Sequence, residues 1–174
     1  MKIILLSLVS FAGVVLADAP VGTQFPDLKG ETLDDKTISI PNDTKGKSTI
    51  ICMAYSSDAE KDLKTWYEPS YNKFIASSEL MAPDVNLYFV PMFTGVAEGA
   101  VGNAKKQMKE GVQADIQPHI IVYSGALDAY KDKLKMDDKK KPYIFVLDKD
   151  GKIVYVTSGP YTEEKMDAID DNID

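Results

Sequence analysis

The side chains with chemistry to offer gather in one short stretch, CMAYSSDAEKDL, running from Cys52 to Leu63. Cys52 is the only cysteine of the chain. A thiolate there would be a nucleophile toward peroxide or disulfide, and any two-thiol cycle would take its second thiol from another molecule. Cys52 sits within an apolar run, however, on the same alternation face as Ile50 and Ala54. A buried free cysteine behaves as a small hydrophobe with a raised pKa, and packing is the expected role. Four residues on, Ser56, Ser57 and Asp58 offer hydroxyls and a carboxylate. A serine nucleophile needs a base oriented by a third group and an oxyanion hole. The single histidine, His119, lies far along the chain after Pro118. The same three residue types at the start of a helix satisfy first-turn amides and suit the helix dipole, which explains them without catalysis.

Other motifs fail on spacing. The Gly-Lys-Ser within KGKST lacks the P-loop's first glycine, because Pro41 occupies that position, and the segment leads into a strand rather than a helix. GVAEGAVGNAKK is glycine-rich without a dinucleotide fingerprint. DKDG, Asp148 to Gly151, lacks the remaining ligands of a calcium loop and reads as a hairpin turn. Asp167, Asp170, Asp171 and Asp174 read as a solvated helix face. One histidine and one cysteine give no transition-metal spacing. No catalytic residue, metal or cofactor is assigned.

The elements that would position this stretch are legible from periodicity. STIICMAY is a continuous apolar run that predicts a central strand buried on both faces. Ser57 and Glu60 form a capping box for the helix that follows. Leu63, Trp66, Tyr67, Tyr71, Phe74 and Ile75 give that helix one apolar stripe, with Pro69 expected to kink it. NLYFVPMF and HIIVYSG predict two more strands. Val96 to Val112 is a helical pattern weakened by Gly99, Gly102 and Gly111, and ALDAYKDKLKM is a short helix. Tyr143 to Leu147 and Ile153 to Thr157 are strands joined at Asp150-Gly151. Thr162 caps a last helix whose buried stripe is Met166, Ile169 and Ile173. Before all of these, residues 21–47 read as an irregular lead-in with one or two short edge strands, around Thr37 to Ile40. Alternating strands and helices imply an α/β fold with a mostly parallel sheet, helices on both faces and an antiparallel C-terminal hairpin.

Composition narrows the class. The 174 residues carry 44% hydrophobic and 27% charged side chains, ordinary values for one globular domain. A net charge of −7 excludes a nucleic-acid surface and disfavours anionic lipid. Lys2 followed by the apolar run Ile3 to Val15, then Val15 and Ala17 as small residues before Asp18, predict a secretory signal peptide over residues 1–17. The mature domain is then residues 18–174, exported to a periplasmic or secreted location, with no later run long enough to span a membrane.

Three segments resemble the thioredoxin-like superfamily: VGTQFPDL, KGKSTIICMAY and KPYIFVLDKDGKIVYVTSG. The resemblance covers nearly the whole mature chain and lies with the branch of peroxiredoxins and periplasmic thiol-disulfide reductases. The last segment is also similar to small exported thioredoxin-like proteins and to the ATP-synthase assembly factor with a thioredoxin-like domain. The resemblance implies a three-layer sandwich, a cis-proline at Pro142 and a kinked first helix at Pro69. It also places the family's first reactive cysteine at the joint after the central strand, where this chain reads Ser56-Ser57-Asp58-Ala59. A serine hydroxyl lacks the thiol chemistry that disulfide exchange needs, so the family's activity does not carry over. The expectation is a non-catalytic binding or assembly module without a redox dithiol. A protein or peptide partner would dock at Tyr55, Ser56, Ser57, Asp58, Ala59, Lys141 and Pro142. Two other classes stay open: a thiol peroxidase or disulfide reductase using Cys52 with an external resolving thiol, and a small-molecule carrier, which requires an apolar pocket.

Overall fold

The computed structural model describes residues 20–76, 84–95 and 98–173. The expected signal peptide, like Val96 and Ala97 at the expected start of the glycine-weakened helix, lies outside the described residues. Seven strands form one sheet: β1 (Leu28–Thr32), β2 (Thr37–Ile40), β3 (Ser48–Ala54), β4 (Val85–Phe93), β5 (Ile121–Ser124), β6 (Tyr143–Leu147) and β7 (Ile153–Ser158), in the order β2-β1-β5-β4-β3-β6-β7. Among the described residues five α-helices accompany them: α1 (Ser57–Lys64), α2 (Tyr67–Phe74), α3 (Glu98–Gly111), α4 (Asp128–Leu134) and α5 (Glu163–Asp170).

The sheet is mixed. β5, β4 and β3 are parallel, with β3 and β4 in register from Ser48 opposite Val85 to Ala54 opposite Pro91. The β6–β7 hairpin extends this core antiparallel on one side, and the β1–β2 hairpin does so on the other. Every residue of β3 is buried, as its unbroken apolar run requires. Alternation then divides the strand between two cores. Ile50, Cys52 and Ala54 face Leu63, Trp66 and Phe89, under α1, α2, α3 and α5. Ile51 and Met53 face Phe25, Phe145 and Leu134, under α4 and the lead-in. Three layers result.

Turn chemistry sets the ends. Asp148 Oδ1 accepts from the N–H groups of Asp150 and Lys152, and Gly151 has φ of +82°, which favours glycine. A Cβ at Gly151 would also lie 2.5 Å from Pro41. Thr162 caps α5 by accepting from the Lys165 N–H at 3.3 Å, as its sequence predicts.

Three expectations change. The cap of α1 is Ser56 rather than Ser57, because the Ser56 side chain, in extended backbone, accepts from the Ala59 N–H. The expected kink at Pro69 is a break: α1 ends at Lys64 and α2 begins at Tyr67. Pro69 is the third residue of α2, where its missing N–H falls among groups that have no intrahelical partner anyway. The apolar stripe survives the break, with Leu63, Trp66, Tyr67 and Phe74 all buried. Finally, Pro142 is not the cis-proline. The cis bond is Ile40–Pro41, beside the Asp150-Gly151 turn at the other pole of the sheet. The chain reaches β6 through a turn organised by Asp138, whose carboxylate accepts from the Lys140 N–H, and the bond before Pro142 is trans.

Candidate functional site

The joint between β3 and α1 sits at the C-terminal end of the parallel strands. Here β3 has run out of partners, so Tyr55 and Ser56 turn their polar groups toward the loop that precedes β6. The Tyr55 hydroxyl donates to the Met136 carbonyl at 2.6 Å. Burial, followed by the neighbouring Tyr143 and the charges of Asp138 and Asp137, pushes the Tyr55 phenol up to about 12, so it stays a donor. The Ser56 hydroxyl does two things at once. It accepts from the Ala59 N–H at 3.1 Å and donates to the Lys139 carbonyl. The loop is tied on its far side as well: the Asp138 N–H donates to the Tyr143 hydroxyl at 2.8 Å, and the Gly159 N–H to the Pro142 carbonyl at 2.9 Å.

The expected site residues thus fall into two groups. Tyr55, Ser56 and Pro142 are committed to this network, and Ala59 is buried in the first turn of α1. Ser57 and Asp58 are exposed beside them, with Asp58 3.4 Å from Lys61, and Lys141 is half-buried with its ammonium 5.7 Å from the Tyr143 ring centre. The structure brings the joint and the 136–142 loop together.

Cys52 and His119 do not join them. Cys52 is 0% exposed, between Phe89 and Ile144 on the neighbouring strands, and burial drives its thiol well above the ordinary range. His119 lies before β5, where its Nδ1 is 3.0 Å from the Leu87 carbonyl and its ring meets Tyr71 edge-on. Leu87 pairs with Ile50, six residues before Ser56 along the strand direction. At the rise of an extended chain that is about 20 Å, so no histidine base serves Ser56.

Beside the joint lie two hollows. The smaller, about 180 Å³, is bounded by Tyr55, Ser56, Ser57, Pro91 and Thr94. The larger, about 470 Å³, lies between α1 and α3, lined by Lys64, Tyr67, Ala104, Gln107, Met108 and Val112. Glu60 and Phe93 belong to both. Tyr67 and Met108 read in the sequence as core stripe; the signal for a hollow was the small residues Ala104 and Gly111 on α3, which leave space where larger ones would fill it. Among the described residues, no cluster of acidic, histidine and cysteine side chains could hold a metal ion. No described helix is long and apolar enough to cross a membrane.

Comparison with solved structures supports the thioredoxin-like fold. An uncharacterized conserved protein from Geobacillus kaustophilus superposes with a TM-score of 0.60 at 17% identity, over 90% of this chain and 83% of that one. The pneumococcal exposed lipoprotein thioredoxin Etrx1 from Streptococcus pneumoniae gives 0.53 at 18% identity, over 84% and 99%. BsSco, a member of the Sco family of cytochrome c oxidase assembly proteins, gives 0.54 at 12% identity, over 85% and 90%. No curated protein matches the sequence. A family model does: residues 20–172 match that of the ATP10 protein, a span that takes in every strand and helix of the sandwich and the joint itself, and the chain belongs to the ATP10 family.

Proposed function

We propose that this chain is an exported, protein-binding assembly module of thioredoxin-like fold that works without thiol chemistry. The observation that carries the reading is the joint. The place where the resemblance puts a reactive thiol holds Ser56, whose hydroxyl is spent on a helix cap and a loop carbonyl. Cys52 cannot replace it without leaving the core, because it is 0% exposed and its neutral form is strongly favoured. Membership of the ATP10 family supports an assembly role, in keeping with the resemblance to the ATP-synthase assembly factor. The partner is a protein that docks at the exposed rim of the joint, Ser57, Asp58 and Lys141, against the ordered loop that ends at Pro142.

Two measurements test this. Purified protein should show no thiol-dependent peroxide consumption or insulin reduction, and Cys52→Ala should change neither. Turnover that Cys52→Ala removes would overturn the reading. In a capture experiment from detergent-solubilised host membranes, the wild type should retain a discrete membrane-complex subunit. Asp58→Lys with Lys141→Glu should lose it, and retention by that variant would move the partner elsewhere.

A further inference from the structure

We infer that the open edge of β7 pairs antiparallel with β7 of a second copy of this chain, making a dimer in which the two sheets run on as one. Val156 of each copy exchanges backbone hydrogen bonds with Ser158 of the other, and Thr157 meets its own counterpart on the two-fold axis. The inference stands apart from the protein-binding reading above.

The two edges of the sheet, β2 and β7, are finished differently. An edge strand presents unpaired N–H and C=O groups, and proteins blunt such edges with charge, proline, short strands or a covering segment. β2 has these devices: it spans only Thr37–Ile40, Pro41 follows it, and the Asp43 carboxylate accepts from the outward N–H of Ser39 at 2.7 Å. β7 is covered only at its start, where the Ile153 carbonyl accepts from the Gly22 N–H at 2.7 Å and the Ile153 N–H donates to the Thr23 carbonyl at 2.9 Å. Beyond it the strand reads Val154-Tyr155-Val156-Thr157-Ser158, with no charge and no proline. The Gly159 N–H donates inward to the Pro142 carbonyl. By alternation Thr157 turns its backbone groups to β6, and Val156 and Ser158 turn theirs outward. No described residue bonds those outward groups.

Backbone donors and acceptors at this spacing select another strand, and the edge limits which strand fits. An antiparallel newcomer runs toward Ile153, where Gly22 and Thr23 already hold the edge, so it has to leave the sheet before that point. β7 itself does so: it ends at Ser158, and Gly159 has φ of +90°. With Val156 opposite Ser158 of the other copy, Gly159 of that copy falls opposite Tyr155 and turns its chain away short of the lead-in. In the alternative register, Val156 against Val156, Gly159 would fall on Ile153, whose groups are taken. The chosen register sets Thr157 against Thr157, a cross-strand pair that sheets favour, and no charges meet along the strand. It also carries Val21, on the turn bonded to Ile153, toward Pro160 and Tyr161 of the other copy. Val21 is 51% exposed, the large apolar side chain most open to water among the described residues, and this contact would cover it.

Sedimentation velocity on the purified protein, from about 10 µM to about 1 mM, should show a monomer–dimer equilibrium. A short edge pairing is a small interface, so the dissociation constant should be on the order of 100 µM. Each copy carries a net charge of −7, so association should tighten as salt rises. Ser158→Pro removes an outward donor and no bond to β6, and should weaken association at least about tenfold with an unchanged circular dichroism spectrum. Thr157→Lys sets like charges on the axis and should do the same. In a second measurement, copper–phenanthroline oxidation should link Thr157→Cys into a covalent dimer, because facing residues at the axis lie about 4.5 Å apart, within disulfide reach. Ser39→Cys, on β2, should stay monomeric under the same oxidation, and the buried Cys52 competes in neither. The cysteine link needs no change at Ser158 and decides the matter where Ser158→Pro does not fold. A protein that stays monomeric at 1 mM overturns the inference and leaves the edge to a strand of another protein. So does a dimer that neither Ser158→Pro nor Thr157→Lys weakens, or a Thr157→Cys variant that links no faster than Ser39→Cys.

Discussion

Replacing Ser56 by alanine deletes two hydrogen bonds that share one oxygen. The first is the cap: the Ala59 N–H loses its acceptor, and losses of this kind cost about 1 kcal/mol. The second is the bond to the Lys139 carbonyl, at the exposed side of the loop, worth about another 1 kcal/mol net. The sum, about 2 kcal/mol, should lower Tm by about 4–8 °C in a domain of this length. Ser56→Thr retains both bonds and should stay within about 0.5 kcal/mol of the wild type. Ser56→Asp keeps an acceptor for the cap but cannot donate to Lys139, and should fall between the two. Trp66 is the chain's only tryptophan and is fully buried, so its fluorescence reports urea unfolding directly. Trypsin gives a second readout. Freed from Ser56, the loop should be cut faster after Lys139 and Lys140 in the alanine variant under native conditions, while the Lys141–Pro142 bond resists trypsin in both proteins. The reasoning is refuted if Ser56→Ala melts within 1 °C of the wild type, or if it is destabilised with no change in loop cleavage.

Three other perturbations have defined outcomes. The indole N–H of Trp66 donates to the Gly159 carbonyl at 3.0 Å, so Trp66→Phe strands a buried acceptor and empties volume; a loss of about 2–4 kcal/mol is expected in urea unfolding followed by circular dichroism. Ser70 is fully buried and its hydroxyl has no hydrogen-bond partner among the described residues, so Ser70→Ala should be neutral or stabilising by up to about 1 kcal/mol, and a clear loss of stability would show that the hydroxyl is paired. The ammonium groups of Lys105 and Lys109, each 2.8 Å from Asp35, lower its carboxyl from 3.8 to about 2. A depressed carboxyl contributes stability above its unfolded pKa and loses it as pH falls through the folded value, so Asp35→Asn should be the less stable protein at pH 5 and should converge on the wild type between pH 4 and pH 2. That difference should also shrink in high salt, because the pairs are exposed.

How much of this was legible depends on the range of the interaction that decides it. β3, the Asp150-Gly151 hairpin and the Thr162 cap are set by neighbours in sequence, and periodicity or local turn chemistry finds them. The α1 cap is not: Ser56 and Ser57 are equally good capping residues, and the choice falls to Ser56 through a bond to Lys139, 83 positions away. The break before Tyr67 is hidden because the turn at Thr65 and Trp66 keeps the stripe in phase. Pro41 and Pro142 both lead or follow short strands, and only their tertiary surroundings separate cis from trans. The larger hollow between α1 and α3 is the hardest case. Tyr67, Phe93 and Met108 have the pattern of packed residues, and a pattern cannot tell a filled contact from a gap.

The bond between Ser56 and Lys139 also makes two openings into one. Helix starts fray and surface loops breathe, each ordinarily on its own. Here the first turn of α1 keeps its cap oxygen only while that hydroxyl stays oriented between Ala59 and the loop. A pull on Lys139 is therefore transmitted to the first turn of α1, and unwinding that turn loosens the three lysines of the loop. Tyr55, Ser56 and Ser57 also bound the hollow of about 180 Å³ at the joint. Hydrogen exchange at Ala59 should therefore rise and fall with exchange at Asp138 as a single unit.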